Sequence, residues 1–139
     1  MRPYEVIEHT ADIGIRATGR SPEELFRHLA QGMMSLVVPP EQVKASETRE
    51  IRAQAEGWET LAVAWLRELL YLLDARHFLG KEFRITHLAP DRIEAVVSGE
   101  ALDPQRHSPD KELKAVTYCD LSVEQRPDGS WAAQVIFDI

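Results

Sequence analysis

Two short stretches carry most of the residues that could do chemistry. Near the start, "EHTADIGI" puts His9 and Asp12 just ahead of an alternating apolar run. At the other end the chain closes on "VIFDI". If Val135, Phe137 and Ile139 share the buried face of a strand, Asp138 faces the other way, with the α-carboxylate of Ile139 beside it. Two anions so close repel one another unless a cation or hydrogen-bond donors compensate. Oxygen donors of this kind suit a hard cation, of the calcium or of the magnesium and manganese class. Asp12 would make a third carboxylate if the fold brought it there. Spacing alone leaves open a simpler reading, in which Thr10 and Asp12 make the side-chain hydrogen bonds of a turn.

Other chemistry is absent or weakly indicated. There is no Gly-rich phosphate loop, CxxC pair, HExxH or GxSxG motif. Cys119, the only cysteine, sits within "KAVTYCDLSV" on the Ala115 and Thr117 side, where packing is expected. His28, His77 and His87 are expected to be solvated, as is the loop carrying Arg106, His107 and Lys111.

The elements around these residues follow from periodicity. Tyr4–Ile7 and Ile13–Thr18 read as strands. In "SPEELFRHLAQGMMSLVV" Ser21 is an N-cap, Pro22 fits the first turn and Glu24 completes a capping box. Leu25, Leu29, Met33 and Leu36 form its apolar stripe, and Pro39 and Pro40 stop it. "TREIRAQAE" alternates like a half-exposed strand. "GWETLAVAWLRELLYLLDARHF" is a long, broadly apolar helix. Residues 82–89 and 92–98 form a hairpin around "APDR". A second hairpin joins "ELKAVTYCDLSVEQ" to "SWAAQVIFDI" through "RPDG". Strict βαβ alternation is missing, so the class is α+β: two helices packed on a largely antiparallel or mixed sheet. With 139 residues and no linker or repeat, residues 1–139 are expected to be a single domain.

Bulk composition narrows the function classes. Sixteen Lys and Arg against 23 Asp and Glu give a net charge of -7, which disfavours wrapping nucleic acid. No stretch reaches the roughly 20 apolar residues of a membrane span, and the N-terminus lacks a secretory signal. A lone cysteine points to the cytoplasm.

Three motifs in order, "HTADIGI", "ELKAVTY" and the final "VIFDI", resemble the archease family, and the resemblance extends along the whole chain. It implies a non-catalytic accessory protein for the tRNA-splicing RNA ligase of the RtcB type. Such a protein speeds guanylylation of the ligase histidine by GTP, allows multiple turnovers, and meets RNA only through the ligase. The resemblance implies a metal site formed by Asp12, Asp138 and, through its carboxylate, Ile139. His9 is a candidate for orienting Asp12, and Lys114 matches the family's lysine, either near the carboxylates or on the ligase surface. Many relatives carry histidine where this chain has Cys119. Two other classes stay open: a small metal-dependent hydrolase with His9 as general base, and a chaperone or RNA-binding module.

Overall fold

The computed structural model describes residues 3–8 and 11–139. The chain order is β1 (Tyr4–Glu8), β2 (Asp12–Gly19), α1 (Pro22–Val37), a 3-10 turn (Pro40–Gln42), β3 (Glu47–Gln54), α2 (Trp58–Arg76), β4 (Phe78–Ala89), β5 (Arg92–Ala101), β6 (Ala115–Gln125) and β7 (Trp131–Asp138). The α+β class stands, with one refinement: the strands form two antiparallel sheets instead of one, ordered β1-β2-β7-β6 and β3-β5-β4. The partition turns on β2 pairing with β7, more than a hundred residues away in the chain.

Local chemistry explains the helix limits. Ser21 Oγ accepts from Glu24 N, and the Glu24 carboxylate accepts from Arg20 N, one residue before the usual capping-box partner. Val38 closes α1 in an extended conformation ahead of the two prolines. α2 starts after Gly57, whose φ of 116° suits only glycine. It stops at His77, an exposed residue in the left-handed conformation whose N–H bonds back to Leu73 O. Phe78 therefore opens β4 instead of ending the helix, and it is buried with Leu79.

α1 packs on β2 and β4, and α2 packs on β6 and β3, so each helix contacts both sheets. One apolar cluster joins them, with Trp65, Phe26, Phe137, Ile13 and Ile15 fully buried. The Trp65 indole N–H donates to Phe26 O, linking α2 to α1 through a satisfied buried donor. Gly99 allows β5 and β4 to meet closely, since a Cβ there would lie 1.8 Å from Leu79 O. Among the described residues no helix is long and apolar enough to cross a membrane.

Candidate functional site

Antiparallel pairing of β2 with β7 sets Asp12, the first residue of one strand, opposite Asp138, the last of the other. Ile13, Ile15 and Ala17 on β2 and Ala133, Val135 and Phe137 on β7 are buried. By strand alternation the two aspartates share the opposite, open face. Directly opposed side chains in such a ladder have Cβ atoms about 4.5–5.5 Å apart, where like charges destabilise. Asp12 Oδ1 is also buried and has no hydrogen-bond partner among the described residues. A buried, unpartnered carboxylate oxygen beside a second carboxylate is a costly arrangement for the bare protein.

Neighbouring backbone holds this end of the sheet in place. Ile139 N donates to Ala11 O at 3.4 Å, which sets the last residue beside the one preceding Asp12. The Ile139 side chain packs against the core, as its place on the Val135 and Phe137 face requires. Lys114 N donates to Asp138 O at 2.8 Å, and Ala115 pairs with Asp138 from the β6 side. Buried Leu113 anchors this approach. The Lys114 main chain thus reaches the aspartate, while its exposed ammonium makes no ion pair among the described residues. His9 lies outside the described residues.

Among the described residues no three His, Cys, Asp or Glu side chains cluster in a way that could hold a metal ion. Asp12 and Asp138 supply two oxygen-donor side chains, and a third anion at this end would have to come from the main chain. The residues present fit a hard cation, because one would satisfy Asp12 Oδ1 and relieve the repulsion between the pair.

Three expectations need correcting. Cys119 is exposed and is no packing residue. The β6–β7 register shifts between Thr117 and Ser122, and Asp120 takes a φ of 49°, so a bulge breaks the strand parity on which packing was inferred. In the 106–111 loop, exposed for the most part as expected, His107 is the exception. His107 is 2% exposed and Glu100 6%, and Glu100 accepts from Arg106, His107 and Lys44 N. Asp103 N donates to His107 Nδ1, so the ring proton lies on Nε2 and points to Glu100. Chain spacing gave no sign of this cluster, because Glu100 and Lys44 are far apart in sequence. Of the other histidines, His87 is exposed, but His28 is half-buried and donates through Nδ1 to Thr18 O.

The Arg106 guanidinium, then the Lys44 N–H, lowers the Glu100 carboxyl from 4.5 to about 2, against the opposing effect of burial. A lowered carboxyl stabilises the fold above its unfolded value, and that stabilisation disappears as pH falls from 4.5 toward about 2. Thermal unfolding of wild type should therefore shift down across this window more than that of Glu100→Gln, whose side chain does not titrate. Parallel curves for the two proteins would refute this.

Comparison with known proteins identifies the family. The Archease protein family matches residues 4–139. The chain belongs to the archease family. Archease of Pyrococcus abyssi is 38% identical over the full length of both chains, and archease of Thermococcus kodakarensis is 37% identical, again over both full lengths. Among solved structures, the solution structure of protein 1598 of Methanobacterium thermoautotrophicum superposes with a TM-score of 0.84 at 30% identity, covering both chains completely. The two-helix, seven-strand fold is thus the archease fold.

Proposed function

We propose that this archease-family chain is a metal-holding accessory protein that activates an RtcB-type tRNA-splicing RNA ligase. The observation that carries the reading is the cross-strand pair of Asp12 and Asp138, with Asp12 Oδ1 buried and unpartnered. Asp12, Asp138 and the α-carboxylate of Ile139 are the donor set for a divalent cation of the calcium or magnesium and manganese class. Such a cation supplies the positive charge that phosphoryl transfer needs at its phosphate oxygens. The residues of this chain fix the donors: Ile13 and Phe137 lock the strand ends into the core, and the Lys114 and Ile139 N–H groups tie the backbone. The chain contributes no nucleophile. The attacking histidine and GTP belong to the ligase, and RNA is met only through it. This work takes place in the cytoplasm.

The test is a mixing assay in which ligase, GTP and metal are followed for covalent guanylate with and without this protein. Faster guanylylation and repeated turnover are expected, and the protein alone should hydrolyse no phosphate ester. Unchanged ligase kinetics at saturating protein would reject the reading.

A further inference from the structure

Arg67 on α2 and Tyr118 on β6 form a pair outside the carboxylate end. The guanidinium carbon lies 4.8 Å from the Tyr118 ring centroid. Nη1 donates to the Tyr118 hydroxyl at 3.3 Å and Nη2 to Val116 O at 3.1 Å. The ring is nevertheless 55% exposed, an unusual position for a large side chain so firmly held. Tyrosine and arginine carry much of the binding energy of protein interfaces, and a side chain already fixed loses little entropy on docking.

Arg67 has no carboxylate within ion-pair distance among the described residues. Among the described residues two of its five N–H donors are engaged, which leaves donors for an incoming acceptor. Beside the pair lies an open hollow of about 420 Å³ whose lining includes Ala55, Thr60 and Ala64, with Glu56 and Glu68 also on it. Those two glutamates and the net charge of -7 repel phosphate, so an RNA strand is a poor occupant. Strand addition is disfavoured too, because the bulge at residues 118–121 interrupts the ladder on this edge strand. What fits is a protein surface with a small apolar side chain for Ala55 and Ala64 and a main-chain carbonyl for Arg67.

We propose that Tyr118, held by Arg67, is the anchor by which the partner protein grips this face. The inference rests on the accessory-protein reading above and names the surface it uses. Ala115 pairs with Asp138, and Tyr118 lies three residues further on, about 10 Å along the strand. That odd offset turns Tyr118 to the α2 side of β6, away from Asp138, so a partner that meets both reaches round this edge strand.

The experiment measures ligase affinity and, separately, calcium affinity for wild type, Tyr118→Ala, Arg67→Gln, Arg67→Lys and Asp12→Asn. Tyr118→Ala should raise the ligase Kd about tenfold while calcium affinity stays within about twofold. Arg67→Gln should raise the ligase Kd by a smaller factor, with partial recovery in Arg67→Lys. A Tyr118→Ala Kd within about twofold of wild type overturns the proposal, as does a loss matched by an equal loss of calcium affinity. If Asp12→Asn keeps full calcium affinity, the metal assignment fails while the anchor is still decided by the ligase Kd. If wild type does not bind the ligase, the accessory-protein reading falls and the anchor with it.

Discussion

Asp138→Asn is expected to abolish stimulation of the ligase and to leave the fold intact. The substitution keeps the size and the β7 backbone and removes one of the two carboxylates that register brings face to face. Asp138 is exposed, so no core contact is lost. Adding one residue after Ile139 should have the same effect by a different route, since it moves the α-carboxylate away from the point fixed by the Ile139 to Ala11 hydrogen bond. Loss of stimulation should exceed about a hundredfold in each case, the upper part of the range seen when a metal site loses a supporting group. Melting temperatures without metal should stay equal to wild type or rise slightly, because one member of a like-charge pair is gone. Stimulation at wild-type level by either variant would remove these groups from the mechanism.

The largest stability effect is expected at Trp65. The side chain is fully buried, stacks edge-on against Phe83 with ring centroids 6.4 Å apart, and donates to Phe26 O. Trp65→Ala should cost about 3–5 kcal/mol, from lost burial and the cavity left behind. The Phe26 carbonyl would also lose the indole donor. Trp65→Phe keeps most of the volume but not the donor, so it should cost less. Denaturant unfolding of both variants checks the order, and equal costs would mean that the hydrogen bond outweighs packing.

Helices were legible because their signals are local. Ser21, Pro22 and Glu24 mark a start, paired prolines mark a stop, and the observed α1 matches its expected span within one residue at each end. The hairpins around "APDR" and "RPDG" were legible for the same reason. Pairing between β2 and β7 was not, because no local pattern tells one alternating strand which distant strand it will join. That pairing is what sets Asp12 opposite Asp138. The "HTAD" and "VIFDI" motifs suggested that they belong together, and register supplies the geometry. Two misreadings have separate causes. Cys119 was assigned by strand parity that a bulge interrupts, and His107 was judged by the polarity of its neighbours, although Glu100 folds back to receive it.

The arrangement also carries a physical signature. A cation held by Asp12 and Asp138 would add about 2.7 kcal/mol of stability at a hundred times its dissociation constant. Stability should therefore rise with divalent metal in wild type and stay flat in variants lacking either aspartate.

Calorimetric titration of calcium and of manganese into the purified protein and into Asp12→Asn tests the central claim most directly. One divalent-cation site per chain in wild type, lost in Asp12→Asn, is the expected result. Identical titrations for the two proteins would contradict the account.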